Sequence, residues 1–495
     1  MVVRRLRLVR GIIERVGRFV LWLAVAGCSA APGSDLVIDR VDPASATNTA
    51  AVPLRVEGTG FHLPLTSDLD HGDTVVGAMA VTVGDVPLEA AVWRGEQLIE
   101  GSVPAGLAAG TYDVTVTLGD RSGVLPDGYV VLGDVNQTYV LPLVPDDLVT
   151  PPGSRLVLLD GAVIDTTAGT ISGAAPGSTF ELRTDDAAPC AILFVAADEV
   201  VVTGTVRVIG ARSIAMIGAR SVIVETSGLL DARGAQTQGG PGGSNAGVGS
   251  MVGAGDGGGG LGTISGTCCD SGAGGGGFSA IGGGGGTSGA APGGTGGAVW
   301  QTTLDRLCGG SGGGGSSGPT FVGCPVRGAN GGGGGGGAML GSYGTIQLDG
   351  ALNAGGAGGR GSPGCGAGGG GGSGGTIVLA APTLQVGGVV AANGGGGGGG
   401  GDPMVSDPGA DGCTCAMPAS GGVSRSNGSA GGGGGAGTML AGASSLANPN
   451  NGGGGGGAAG RVFLVTAPGS PPAIGGTISP ARATTAVEES TLVAR

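Results

Sequence analysis

Lysine is absent: all 23 basic residues are arginine. Histidine occurs twice, aromatics make up 3% and charged residues 12% of the 495 positions. These gaps exclude a good deal. Glycine runs that cradle phosphates need a preceding strand, a lysine and a following helix, and that set is missing. Any folded core must be aliphatic. Glycine is abundant, 121 residues, but without a Gly-X-Y period, which excludes a collagen triple helix. The one strong apolar run near the start, residues 19–26, is too short for a bilayer core of ~30 Å, which takes ~20 residues.

What is present begins with a basic leader. Arg4, Arg5, Arg7, Arg10, Arg15 and Arg18 face a single Glu14, then come the apolar run and Gly27-Cys28-Ser29. This order describes a secretory signal peptide over 1–27. Val25-Ala26-Gly27-Cys28 resembles a bacterial lipobox, which implies cleavage before Cys28 and lipidation of it. Ser29 in the next position implies the outer membrane, facing the cell surface or the periplasm. Several acyl chains at ~0.8 kcal/mol per buried CH₂ hold a protein to a membrane without a transmembrane helix. The rest of the chain has 17 basic and 35 acidic side chains, a net of −18. Such a charge repels nucleic acid and anionic lipid headgroups.

Residues 35–132 alternate apolar and polar in short runs such as "VPLRVEG", "MAVTVGD" and "TYDVTVTLG", broken by Gly, Pro and Asp. The spacing predicts about seven strands in a β-sandwich. "VEGTGF" (56–61) and residues 102–132 resemble the IPT/TIG family of immunoglobulin-like domains, which implies a spacer or a protein- or glycan-binding module. Residues 62–78 depart from that pattern, and both histidines, His62 and His71, lie there with Asp68, Asp70 and Asp73. A solvated loop is the expectation for them. Residues 133–153, with four prolines, read as a stiff connector.

From 154 to 480 the chain repeats itself. "EVVVTGTVRVIG" (199–210), "SVIVETSGLLDARG" (221–234), "TIQLDGALNAGG" (345–356) and "TLQVGGVVAANGG" (383–395) share one phrase, and "PPAIGGTISP" (471–480) is a weaker copy. Further strands precede several of them, at 191–197, 213–219, 375–381 and 460–467. Units of ~20 residues of this kind stack into a solenoid. The resemblance is to a right-handed parallel β-helix, with a tail at 481–495. The predicted fold is therefore all-β: an immunoglobulin-like sandwich followed by a glycine-rich β-helix.

Between copies lie runs of glycine, the longest at 331–337, 394–401 and 452–457. Three states are open to them: flexible linker, loops on the solenoid, or polyglycine II helices with three residues per turn, packed through Cα–H···O contacts. Ordering glycine costs ~0.5–1 kcal/mol more than ordering alanine, so order needs support. Eight cysteines supply a candidate: Cys190, Cys268, Cys269, Cys308, Cys324, Cys365, Cys413 and Cys415. An even count in an exported chain points to four disulfides, in any of 105 connectivities. Phe278, Ile281, Trp300, Met339 and Leu340 among the tracts also favour order.

Catalysis on a β-helix needs clustered carboxylates. Asp231 and Asp349 fall near equivalent points of two repeats, with Arg207 and Arg233 close by, but exposed turn carboxylates are the simpler reading. Asp402, Asp407 and Asp411 are weak calcium candidates whose spacing is not that of an EF-hand. No metal and no cofactor is expected. The expected role is structural or adhesive and non-catalytic, with a glycan, matrix component or protein as ligand. A carbohydrate-active enzyme and a passive stalk or coat are the alternatives.

Overall fold

The computed structural model describes residues 36–494 except 48–50, 64, 69–71, 76–77, 108–109, 133–138, 152, 187–189, 266–268, 290, 301–302, 318–327 and 365. Cys28, His71, Cys268, Cys324 and Cys365 lie outside the described residues. The described chain is all-β, with no helix.

Two sheets form the N-terminal unit. One has the order Val37–Asp42, Val52–Thr59, Leu98–Val103, Glu89–Gly95. The other runs Ser45–Thr47, Arg121–Leu132, Gly110–Leu118, Met79–Val83, Val86–Pro87. Alternate residues of both point into one shared core containing Leu54, Val56, Phe61, Ile99, Val81, Val114, Val116 and Tyr129. Each such aliphatic side chain contributes roughly 1.5–3 kcal/mol by leaving water.

The C-terminal unit is a stack of coils with three walls. Strands of the first wall pair in parallel through 192–197, 213–218, 338–342, 376–380, 461–466 and Val487–Thr491. The second wall pairs 155–158, 199–202, 221–224, 345–348, 383–386 and 473–474. The third carries 162–165, 205–209, 229–231, 351–353, 389–391 and 477–479. Inward side chains form one aliphatic column, including Leu156, Val200, Val222, Ile346, Leu384, Val206, Leu230, Leu352 and Val390.

Apart from its last strand, the first wall is buried on both faces. Its outer residues Phe194, Ile217, Met339, Val378 and Phe463 form a second core with Leu141, Leu307 and Leu492. Three sequence expectations change here. Residues 139–148, read as connector, contribute Leu141 to this core, with Tyr139, Leu143, Val144 and Leu148 packed against it. Residues 487–491, read as tail, close the first wall as its last strand. Met339 and Leu340 belong to a wall strand and not to a glycine tract. For 338–342, burial on both faces removes the alternation by which a strand is recognised, whereas 487–491 is largely exposed and polar.

Three inserts, 232–337, 354–375 and 392–460, all leave the third wall and return to the first. They carry the glycine tracts, and the tracts pack on one another. The chain at 368–375 shows how. Gly369 and Gly372 donate backbone hydrogen bonds to the carbonyls of Arg360 and Ala357, each 2.9 Å. Gly368 and Gly371 donate to Gly452 and Gly455, each 2.9 Å. Gly370 and Ser373 donate to Gly314 and Ser311, at 2.9 and 3.0 Å. Every third residue thus addresses the same neighbour. Three more chains donate back: Gly332 to Gly370, Gly276 to Gly371 and Gly395 to Gly372, each at 2.9 Å. One extended chain is thereby held by six others.

Glycine is required here for close approach. A β-carbon on Gly370, Gly371 or Gly372 would fall on the carbonyl of Gly274, Gly395 or Gly333, respectively. At the rim the requirement relaxes with a three-residue period. In 291–298, Ala291, Gly294 and Gly297 are buried, while Pro292, Thr295 and Ala298 are exposed. In 419–423, Ala419 and Gly422 are buried and Ser420 and Val423 exposed. Unbroken glycine runs mark the interior: 331–337, 368–372, 394–401 and 452–457 are buried throughout.

Among the described residues, two disulfides attach to this assembly. Cys190–Cys308 joins the start of a first-wall strand to the first insert across 118 residues, and Cys413–Cys415 spans two. Phe278 is fully buried and meets Trp300 edge-on at 5.0 Å, whereas Ile281 is exposed.

Gly371→Ala should lower stability by about 1–3 kcal/mol or more, as overpacking does, because its new methyl meets backbone that cannot move aside. Gly284→Ala should be neutral or mildly stabilising, since its β-carbon would meet only Ser444 Oγ at 3.5 Å and the Gly294 carbonyl at 3.8 Å. Urea midpoints of the two variants against the parent chain measure this; equal losses would contradict the packing described.

Candidate functional site

Parallel register decides which carboxylates meet. Leu348 pairs with Val224, and Asn353 with Asp231. Asp349 therefore aligns with Glu225, not with Asp231, which corrects the expected equivalence. The reason is turn length: residues 225–228 link second to third wall in one coil, and 349–350 in the next. Asp231 is nearly buried and ion-paired to Arg207 at 2.8 Å and to Arg233 at 3.2 Å. Arg207 also donates to the Arg233 carbonyl at 2.8 Å. This closed cluster stitches adjacent coils and leaves its carboxylate engaged. Asp349 instead accepts from Gln347 Nε2 at 2.7 Å.

The three aspartates of 402–411 are likewise dispersed. Asp407 pairs with Arg425 at 2.9 Å, and Asp411 accepts the Gly358 N–H at 2.9 Å, so each is used by the glycine assembly. Among the described residues no three His, Cys, Asp or Glu side chains converge as a metal set. His62 pairs with Glu96 at 3.2 Å on the sandwich surface.

Among the described residues the most perturbed carboxyl is Asp270, which sequence reading did not single out. It is fully buried, and neither oxygen has a hydrogen-bond partner. Its backbone N–H donates to Asn451 Oδ1 at 3.1 Å. Burial pushes its pKa up to about 7. Enclosed in this way it offers no surface to a substrate.

Open grooves remain among the described residues, two of them bordering the C-terminal unit. One, of 620 Å³, lies on the glycine assembly between Val248, Pro363, Val405 and Pro408, with Arg360 at its side. The other, of 820 Å³, lies where the sandwich meets the second wall, and its lining includes Thr111, Asp127, Gln347, Asp349 and Gln385. Gln385 Nε2 donates to Thr111 Oγ1 at 3.0 Å across this junction. The sequence held a sign of it: "TIQLDG" and "TLQVGG" place a glutamine at the same outward position of consecutive copies.

No known protein family matches the chain, and no curated protein does. Solved structures with local similarity include two from Bacteroides thetaiotaomicron. One, provisionally described as a phosphatase, is 17% identical over 20% of this chain and 19% of its own, with a TM-score of 0.15. The second, an auxiliary nutrient binding protein, is 18% identical over 23% of this chain and 27% of its own, also at 0.15. The chain thus spans about a fifth to a quarter of each, at similarity too low to carry an argument.

Asp270 gives stability a pH dependence of defined sign. Its carboxyl has a folded pKa of about 7 against an ordinary 3.8, so the folded state holds the proton more tightly than the unfolded chain. The associated stability is fully present below about pH 4 and is lost as pH rises through 7. Thermal melts at pH 5 and pH 8 should show Asp270→Asn more stable than the parent at pH 8, with a smaller difference between the two pH values. An unchanged pH difference would exclude this origin.

Proposed function

We propose that this chain is a lipid-anchored, non-catalytic cell-surface protein with a structural or adhesive role. In this reading Cys28 carries the lipid at the outer membrane, and the sandwich is an immunoglobulin-like module of IPT/TIG type next to the anchor. The coil stack is a right-handed parallel β-helix, and its inserts form a polyglycine II lattice that projects a rigid surface. The supporting observation is the lattice itself: the chain at 368–375 is hydrogen-bonded to six others and buried. Flexible linkers would not need such contacts. The best-placed acidic side chain on the stack, Asp231, is neutralised by Arg207 and Arg233, which favours a scaffold over a hydrolase or lyase.

The test uses the full chain with Cys28→Ser to keep it soluble, in oxidised form. Amide exchange over the glycine tracts should be slowed at least a hundredfold relative to the unfolded chain, and retention on intact cells or matrix should saturate. Cys190→Ser should weaken that protection, since closing a loop of this length contributes about 4–5 kcal/mol in the chain-entropy account. Exchange at unfolded-chain rates would sink the scaffold reading. Protected amides without saturable retention would leave a passive coat.

A further inference from the structure

One outward column of the second wall changes character along the stack. Its members, fixed by parallel register, are Val157, Val201, Ile223, Gln347, Gln385 and Ala473. The early positions are apolar. The two glutamines come where the 820 Å³ groove opens against the sandwich. Each is fixed on one side: Gln347 Nε2 donates to Asp349 at 2.7 Å, and Gln385 Nε2 to Thr111 at 3.0 Å. Each amide keeps a second N–H and a carbonyl oxygen for a ligand.

The sandwich supplies the opposite wall. Asp127 lies in its lining and has a left-handed backbone, φ 52°, with its N–H donating to Asp113 Oδ1 at 2.8 Å. Aspartate tolerates this region in turns better than most residues do. Among the described residues, the lining holds no lysine, arginine, histidine or aromatic ring.

We propose that this groove binds a neutral saccharide, a claim that rests on the adhesive reading above and gives it a ligand class. Hydroxyl groups both donate and accept. They suit a wall that alternates carboxylates, which only accept, with amides, which do both. The two carboxylates, with no cation among the described lining residues, reject acidic polysaccharides by desolvation and repulsion. The absence of an aromatic platform places recognition in hydrogen bonds and not in stacking. A site of this kind at a junction between units also depends on their being held together, which the Gln385–Thr111 bond does.

The probes are immobilised neutral polysaccharides, namely a β-glucan, a dextran and a galactomannan, with an acidic pectate as control. The protein is the full chain carrying Cys28→Ser. Retention is expected on at least one neutral polymer and not on pectate. Asp349→Ala and Asp127→Gly should each weaken it roughly tenfold, the loss of one or two hydrogen bonds to a charged group. Asp127→Gly keeps the left-handed backbone permissible, so its melting temperature should match the parent's and separate lost binding from lost folding. Retention that survives both substitutions would overturn the groove as the site while leaving the adhesive reading intact. No retention on any neutral polymer would overturn the saccharide claim, and saturable binding to cells would then still decide the adhesive reading separately.

Discussion

Glycine's Cα carries two hydrogens, and in the lattice a neighbouring carbonyl occupies the place where any other residue would put its β-carbon. That steric condition, together with backbone hydrogen bonds running to several chains in turn, accounts for the composition of the inserts. Each bond nets only ~1 kcal/mol, and each glycine loses more entropy on ordering than another residue would. The balance is met by number and by borders. The lattice is flanked by coil walls whose aliphatic column contributes the transfer energy that the tracts lack. A disulfide ties the first insert to the start of a first-wall strand, and the Phe278–Trp300 pair packs within that insert.

Much of the coil stack was legible in the sequence because a half-buried strand declares itself by alternation. The repeats at 199–210, 221–234, 345–356 and 383–395 are the second and third walls. Strands 338–342 and 487–491 escaped for opposite reasons. The first, Ala-Met-Leu-Gly-Ser, is buried on both faces, and the second is mostly polar at the end of the stack. Partnership among the tracts was illegible for a deeper reason: one glycine run fits against another equally well, so no side chain encodes which pairs form. What selects them is the position at which each insert leaves the walls.

The candidate sites divide in the same way. Asp231, Arg207 and Arg233 were correctly placed near one another, but turns of unequal length put Asp349 elsewhere. Asp270 carried no signal, because a lone aspartate among glycines reads as a solvated turn. The glutamine column was visible as a repeated letter, but its meaning depends on a sandwich more than two hundred residues away in sequence.

The order of the inserts along the chain has a consequence for assembly. The chain at 368–375 comes from the shortest insert, yet its neighbours are drawn from both the preceding insert, at 273–276, 311–314 and 331–335, and the following one, at 395–398 and 452–458. A chain growing from its N-terminus can close the early coils and then must leave this segment half-surrounded. Its contacts are complete only once residue 458 has arrived. The lattice therefore closes as a late and collective event, because the first insert and the middle one alike complete their contacts with residues 452–458.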